Sequence, residues 1–594
     1  MRRTLRCVFV SSVLVLAGCG DREPAEPAAT ASAPPRTAEP VAAEETIDWE
    51  ELSARFVSEW LDAHPIAAFA AGKTEYAGRF PDWSRAGIGA EIDRLAGWKT
   101  RVEAVDPDAL SPGQRFDREY LLAVLDRNLF WMRDARWPFR NLEAYFDWGS
   151  DYLNPSVYVT KPYAPAETRM RHMTEFARNL PVALEQIRDN LETPMPRTWV
   201  ELGVARFNGM SRYFIDDVPS AFADVDDPER VAEFNEAIGQ AAMSLAELGS
   251  WFEGQRDTAT ENFALGPDLF AAMLRETEQV EIPLERLAEL GRADLERNLA
   301  LLDEACAAFA PGTDRPGCMA AMNTNKPAGG AVAGARDQLD RIKAFMLQEQ
   351  LASIPADDPI FVEEAPPYAR SNFAFIYVAG PYEAGMPSTY YIAPPDPGWP
   401  EQEQFDYVPG AADLMSTSVH EVWPGHFLQF LHSNRTASPI GQLFVGYAYA
   451  EGWAHYTEEM MAEAGLAGGL PGGNAEFRIG QINKALYRNA RYLCAIGLHT
   501  QGMSVAECET LFREQAFQDP GNARQQAARG TYDPGYLNYT LGKLMIRQLR
   551  EDWTADRGGR EAWGAFHDTF LSRGGPPIPM LRRLLLGEDA GPAL

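Results

Sequence analysis

Four of the eight histidines in this 594-residue chain fall between residues 420 and 455. Two of them, His420 and His426, begin and end the segment His-Glu-Val-Trp-Pro-Gly-His. Imidazole nitrogens are preferred zinc ligands, and a neighbouring glutamate can take a proton from a zinc-activated water. The segment therefore predicts a site for metal-assisted hydrolysis, with Glu421 as the general base.

The spacing of these two histidines does not suit a regular helix. Zinc peptidases commonly carry two histidines four residues apart on one helix face, whereas His420 and His426 are six apart. Six residues of ideal helix separate side chains by roughly 120° in azimuth and about 9 Å along the axis. Pro424 lacks an amide hydrogen and Gly425 tolerates unusual dihedrals, so we expect the helix to widen or break there. A plain helix end with two surface histidines is the alternative.

A second amphipathic segment, residues 447–460, supplies further candidates. It carries Glu451, His455 and Glu458 at helical spacing. A glutamate often completes a two-histidine catalytic zinc site, so we predict one Zn²⁺ per chain, bound by His420, His426 and Glu451. His455 and Glu458 are expected to hold the ligands in orientation. The alternative for these two residues is a surface pair.

Amide hydrolysis also needs a donor for the oxyanion and contacts for the substrate. Tyr539 is the first candidate for the oxyanion and joins Glu421 as a predicted catalytic residue, although a core aromatic is the alternative. His499, Arg491 and Tyr390 are the candidate substrate-binding residues.

The runs HEVWPGHFLQ, YAEGWAHY and DPGYLNYTLGKLMIRQLR together resemble the bacterial family called domain of unknown function 885. The resemblance extends from about residue 46 to the C-terminus. It implies a helical, zinc-peptidase-like fold that often occurs in lipoproteins, with His420, Glu421, His426 and Glu451 on the metal and base positions. Where the family commonly has Asp-Thr-Gly-Leu-His, this chain has Ala-Ile-Gly-Leu-His at 495–499. No carboxylate function is therefore expected in that segment.

Apolar periodicity predicts a large, mainly α-helical protein with a small β element beside the predicted metal site, and the resemblance implies that its fold is zincin-like. The predicted helices are 48–63, 88–105, 114–131, 166–191, 228–252, 266–278 and 283–309. Phe373–Val378 and Thr389–Ile392 have the strongest strand signals. Prolines follow Ser388–Ile392, so we expect it to be an edge strand that could bind an extended peptide.

Two regions are expected along the chain, an N-terminal helical region at 46–360 and a catalytic helical region at 361–594. The alternative is one continuous domain.

The N-terminus predicts export. Arginines precede a short apolar stretch, which is typical of a signal peptide, and Leu-Ala-Gly-Cys at 16–19 resembles a lipobox. We therefore predict a lipoprotein signal peptide at 1–19, lipidation of Cys19 and a flexible tether at 20–45. The body is expected in the periplasm of a bacterial cell envelope, anchored to either the inner or the outer membrane.

The amino-acid composition argues against some classes of binding partner. The chain has 85 acidic and 54 basic residues, and its net charge of −31 argues against nucleic acid. Membrane contact is expected only through the lipid. In an oxidising compartment, Cys306 with Cys318 and Cys494 with Cys508 are candidate local disulfides, although other pairings or none also fit the sequence.

The sequence thus predicts an exported zinc metallopeptidase that hydrolyses short peptides or related amides. A Gly-x-Ser-x-Gly motif is absent, which argues against a serine hydrolase. The other hypothesis is a tethered, non-catalytic protein that binds peptides or other ligands on the same scaffold. Substrate preference, endo- or exopeptidase action and oligomeric state do not follow from the sequence.

Overall fold

Helices form most of the computed structural model, which describes residues 48–146, 153, 155–365, 373–468 and 473–594. This confirms the mainly α class. The predicted signal peptide, Cys19 and the tether at 20–45 lie outside the described residues. Among the described helices, none is both long enough and apolar enough to cross a membrane.

The predicted helices are all present, with ends within a few residues of those expected. Before the sheet come α1 (Trp49–Ala63), α2 (Pro65–Ala70), α3 (Arg85–Glu103), α4 (Pro112–Leu129), α5 (Trp137–Arg140), α6 (Ser156–Thr160), α7 (Ala166–Asn190), α8 (Arg197–Asp216), α9 (Pro228–Glu253), α10 (Pro267–Glu278), α11 (Leu284–Phe309), α12 (Arg315–Thr324) and α13 (Gly330–Gln348). After the sheet come α14 (Glu401–Tyr407), α15 (Ala411–Glu421), α16 (His426–Ser433), α17 (Pro439–Leu443), α18 (Tyr447–Ala464), α19 (Gly473–Thr500), α20 (Val505–Gln515), α21 (Pro520–Tyr532), α22 (Asn538–Thr554), α23 (Trp563–Leu571) and α24 (Ile578–Leu586).

Helix α11 shows how sequence pattern becomes packing. Leu287, Leu295 and Leu302 recur near the helical period and are all buried. They form an apolar stripe, while most of the charged residues between them are exposed. This stripe helps α11 to pack along α19, which carries several of the candidate site residues.

The β element is a three-stranded sheet of β1 (Ile360–Glu364), β2 (Ala374–Tyr377) and β3 (Ser388–Ile392). β3 lies in the centre, parallel to β1 and antiparallel to β2. The prediction that Ser388–Ile392 is an edge strand is therefore wrong, because both of its sides form hydrogen-bonded ladders. The sequence pattern did not predict β1, which occupies one of those sides.

Two apolar clusters fill the interior of residues 48–594, which form one compact unit. One cluster is built mainly by α7, α8 and α9 around buried residues such as Phe176, Phe207 and Phe252. The larger cluster extends under α15, α16, α18, α19 and α22. It also includes residues of α11, so the regions predicted at 46–360 and 361–594 share one core.

Two disulfides join helices that are neighbours in the chain. Cys306 of α11 is bonded to Cys318 of α12, and Cys494 of α19 is bonded to Cys508 of α20. These are the local pairings expected from the sequence, and such bonds are typical of oxidising compartments.

Candidate metal centre

The histidine segment breaks where its Pro-Gly pair predicts a distortion. α15 ends one residue after His420, α16 begins at His426, and the Trp423–Pro424 peptide bond between them is cis. A β-carbon on Gly425 would lie 1.8 Å from the carbonyl oxygen of His420, so only glycine fits this approach. The break brings the two imidazole rings to a centroid distance of 4.8 Å.

Helix α18 is attached directly to this break. Trp453 donates a hydrogen bond from its indole nitrogen to the carbonyl oxygen of Pro424 at 2.8 Å. The preceding residue, Gly452, packs against Gly542 of α22, where a β-carbon would approach the Cα atom of Gly542 to 2.5 Å. The Glu-Gly-Trp motif therefore fixes α18 against both the break and α22, and this positions Glu451 beside the histidines.

Three side chains able to bind a metal ion converge between α15, α16 and α18. The Nε2 atoms of His420 and His426 lie 3.3 Å and 3.5 Å from the same oxygen, Oε2 of Glu451. All three candidate ligand atoms lie within 4.8 Å of one another. The three side chains are only 9–12% exposed. We call these three residues, which are the ligands predicted from the sequence, the metal cluster.

Two atoms of the metal cluster make no hydrogen bond within the described part of the chain. Oε2 of Glu451 and Nδ1 of His426 are buried without a hydrogen bond to any described residue. Buried polar atoms are nearly always paired, and a bound cation would satisfy a carboxylate oxygen that faces two imidazole nitrogens. Two imidazoles and one carboxylate form a common donor set for catalytic zinc. The residues present therefore fit a zinc ion.

Glu458, two helical turns after Glu451, orients the first histidine. Its Oε1 atom accepts a hydrogen bond from Nδ1 of His420 at 2.8 Å, which leaves Nε2 directed at the cluster. Arg488 of α19 lies 3.0 Å from the same carboxylate oxygen and 3.1 Å from Nδ1 of His420. Burial raises the pKa of Glu458, but Arg488 and the histidine hydrogen bonds outweigh burial and hold that pKa well below its usual range. Sequence reasoning missed Arg488.

The two predicted catalytic side chains make no hydrogen bond or ion pair with a described residue. Glu421 is partly exposed at the end of α15, next to His420. Tyr539 lies on α22 and is 8% exposed. Burial raises the pKa of Tyr539, and nearby Glu451 raises it further, so the hydroxyl keeps its proton at neutral pH. Both side chains are therefore available to a ligand.

A family model described as "Bacterial protein of unknown function (DUF885)" matches residues 65–585, which is most of the chain. The chain belongs to the DUF885 family. No curated protein matches it.

Two solved structures share the fold of this DUF885 protein. One is a "putative lipoprotein of unknown function" from Shewanella oneidensis, with 22% sequence identity, a TM-score of 0.73, and coverage of 91% of this chain and 100% of that chain. The other is a "putative lipoprotein" from Colwellia psychrerythraea, with 15% identity, a TM-score of 0.76, and coverage of 91% and 99%. At these identities the similarity establishes the fold.

The DUF885 protein contains a cavity of about 1030 Å³. Its wall includes aromatic side chains such as Trp131 and Trp137, together with Tyr447 and Arg491. The cluster residues are not part of that wall. Tyr447 and Arg491 of this wall lie close to Tyr539, whose ring is 5.8 Å from the ring of Tyr447 and 4.8 Å from the guanidinium carbon of Arg491.

Other predicted site residues lie elsewhere. His499 is in the core, where Nδ1 accepts a hydrogen bond from the Leu265 amide and Nε2 donates to the carbonyl oxygen of Gly530. Both ring nitrogens are used, so the structure gives His499 a structural role instead of the expected substrate contact. Tyr390 is completely buried on the central strand β3, which removes it from contact with a substrate.

His455 lies near the metal cluster, as predicted, but its ring makes no hydrogen bond to a candidate metal ligand. It is fully buried, and Nδ1 lies 3.8 Å from Oε2 of Glu458, behind the carboxylate that orients His420. Neither ring nitrogen is hydrogen-bonded to a described residue. Burial lowers the pKa of His455 to about 4, so the ring is neutral at physiological pH. It packs behind Glu458 and does not hold a ligand directly.

Proposed function

We propose that this DUF885 protein is a zinc-dependent peptidase that hydrolyses short peptides. The observation that supports this most strongly is the convergence of His420, His426 and Glu451, with Glu458 orienting His420. When bound at these ligands, a zinc ion supplies a Lewis acid that activates water and polarises the substrate carbonyl group.

The other side chains provide the proton transfers. Glu421 accepts a proton from the attacking water and returns it to the leaving amine. Tyr539, whose hydroxyl keeps its proton, donates a hydrogen bond to the oxygen that becomes negative during attack. The low exposure of the cluster excludes most bulk water, and this strengthens both interactions.

We also propose that the protein is exported and anchored by a lipid on Cys19, with its body in the periplasm. The lipobox-like segment and the description of both structural neighbours as "putative lipoprotein" support this. Replacing Cys19 with serine should move the protein from the membrane fraction to the soluble fraction of the cell envelope. Retention of Cys19→Ser in the membrane fraction would reject the anchor.

The experiment that tests the peptidase combines metal analysis with one substitution. The purified full chain is expected to contain about one zinc per molecule and to hydrolyse members of a tri- to hexapeptide panel. Glu421→Gln should keep the zinc and reduce turnover by about 10²–10⁴-fold, the usual contribution of a general base. Glu247→Gln, an exposed carboxylate on α9, is the matched control and should retain full activity.

Two results would contradict the proposal in different ways. Full zinc occupancy without hydrolysis of any peptide would favour a tethered binding protein on the same scaffold. Activity that survives in a zinc-free His420→Ala variant would exclude the proposed metal site.

A further inference from the structure

Arg491 is a buried cation without a negative partner among the described residues. It is only 7% exposed and lies on α19, in the wall of the cavity. Its Nε atom donates a hydrogen bond to the side-chain oxygen of Gln526 at 2.9 Å, and its guanidinium lies over the rings of Tyr487 and Tyr539. None of these three partners is a carboxylate. Its two terminal nitrogens make no hydrogen bond or ion pair with any residue that the structure describes.

Most other cations in the same cavity wall are paired with a carboxylate, and Arg127, which donates a hydrogen bond to the carbonyl oxygen of Val445, is less buried than Arg491. Arg529 lies 2.8 Å from Asp533, Arg206 lies 2.7 Å from Glu143, and Lys484 lies 3.1 Å from Asp413. A buried charge without a counter-charge is costly to the folded protein. An anionic ligand in the cavity would offset that cost at Arg491.

Arg491 is linked to the metal cluster through Tyr539 and Arg488. Arg491 and Arg488 lie one turn apart on α19, about 4.5 Å along the axis, and both guanidinium groups lie over the ring of Tyr539. Arg488 in turn contacts the metal ligand His420. An extended peptide spans roughly 3.3–3.6 Å per residue. A group held by Arg491 would therefore lie within a few peptide residues of a carbonyl at the metal cluster.

We propose that Arg491 binds the C-terminal carboxylate of the substrate, so that the protein acts as a carboxypeptidase releasing a short C-terminal fragment. This inference rests on the proposed peptidase function. The C-terminal carboxylate is the one anion that every unmodified peptide carries near its end. Because Nε is already bonded to Gln526, the two terminal nitrogens form the fork that binds a carboxylate through parallel hydrogen bonds.

The test compares two peptides that differ only at the C-terminus. The zinc-loaded full chain is given Ala-Ala-Phe as the free acid and as the C-terminal amide, and both hydrolysis and binding by calorimetry are measured. The free acid should be favoured by about 100-fold in kcat/KM, as expected for a buried charge pair. An amidated peptide cleaved as well as the free acid would overturn the assignment of Arg491.

Two substitutions and a control test whether the preference for the free acid depends on Arg491. Arg491→Met should lose the preference for the free acid, mainly through a higher KM for that peptide. Arg491→Lys keeps the charge but not the fork, so it should retain part of the preference. Lys484→Met removes a paired cation from the same helix and wall, and it should leave the free-acid to amide ratio unchanged. Because Arg491 lacks a counter-charge, Arg491→Met is not expected to lower the melting temperature.

The binding measurements separate this inference from the proposed function. Tight binding of the free acid that depends on Arg491, without cleavage, would support carboxylate recognition and reject the peptidase. Cleavage of both peptides with the same efficiency by wild type and Arg491→Met would support the peptidase and reject carboxylate recognition. Failure to bind either peptide would reject both.

Discussion

Helix α18 carries two adjacent buried glutamates that belong to very different environments. Glu458 faces His420 and the metal cluster. Glu459 faces a group of charged side chains contributed by α11 and α22. We call this second group the ion network, and it consists of Asp294, Arg297, Glu459, Lys543 and Arg547.

The ion network satisfies its own charges. Lys543 lies 2.6 Å from Asp294, and Arg297 lies 2.8 Å from Glu459. Burial raises the pKa of both carboxyl groups, but Lys543 and Arg297 outweigh burial and hold each pKa below its usual range. None of the five side chains has a buried polar atom without a hydrogen-bond partner. The network is complete without a ligand.

The metal cluster is also largely buried but is incomplete, since Glu451 and His426 each have a buried atom without a partner among the described residues. Burial and charge are thus common to both groups and do not distinguish function from structure. The distinction lies in which group still needs a cation. If this interpretation is correct, damage to the ion network should reduce stability alone, whereas damage to the metal cluster should change zinc binding.

The largest effect on stability is expected from breaking the ion network. Lys543→Met leaves two buried carboxylates with fewer cations, and loss of one partner of a buried pair typically costs about 3–5 kcal/mol. Urea unfolding of the zinc-free protein measures this loss. The zinc affinity of the folded variant should match that of the wild type. Lys99→Met, which breaks a half-exposed pair, is the control and should cost less than about 1 kcal/mol. An equal loss in both variants would contradict the special role of the network.

The adjacent glutamates allow a direct comparison on one helix. Glu458→Gln weakens the hydrogen bond that orients His420, and such changes typically reduce zinc affinity about 10–100-fold. Glu459→Gln should destabilise the fold but leave zinc affinity unchanged. Competition with a chromophoric chelator measures both affinities. If the two variants lose zinc affinity equally, the proposed division of roles along α18 is wrong.

Sequence reasoning located the metal cluster because local signals were sufficient. The Pro-Gly pair marks the break between α15 and α16, and a spacing of seven residues puts Glu451 and Glu458 on the same face of α18. Helical periodicity likewise predicted α11 and its buried leucines.

Local signals could not predict contacts between distant segments. Arg488 reaches Glu458 only because α19 packs beside α15 and α18. The pairing of β1 with β3 made Tyr390 a central-strand residue, although the prolines after β3 are typical of an edge. Packing against Leu265 and Gly530 likewise gave His499 its structural role. Whether a carboxylate lies near Arg491 depends on all the helices that pack around it, so no local sequence pattern could indicate that Arg491 lacks one.

The dependence of zinc binding on pH tests the metal cluster further. Burial lowers the pKa of His420 and Arg488 lowers it too, but the nearby carboxylates of Glu451 and Glu458 outweigh them and raise it to about 9 in the zinc-free protein. The protonated ring must lose its proton before it can bind zinc, so zinc affinity should increase about tenfold per pH unit below pH 9. Proton release during zinc titration in buffers of different ionisation enthalpy measures this. Affinity that stays constant from pH 7 to pH 9 would contradict it.

The smallest effect on zinc binding is expected from a comparison of two buried tryptophans. Trp453→Phe removes the hydrogen bond to Pro424 at the helix break, and Trp98→Phe removes a similar bond to Glu59 in a different part of the fold. Each should cost about 1 kcal/mol of stability, the usual net value of one hydrogen bond. Only Trp453→Phe should also weaken zinc binding, by severalfold, because Trp453 fixes Glu451 relative to the two histidines. Equal zinc affinity in the two variants would show that the break holds its shape without α18.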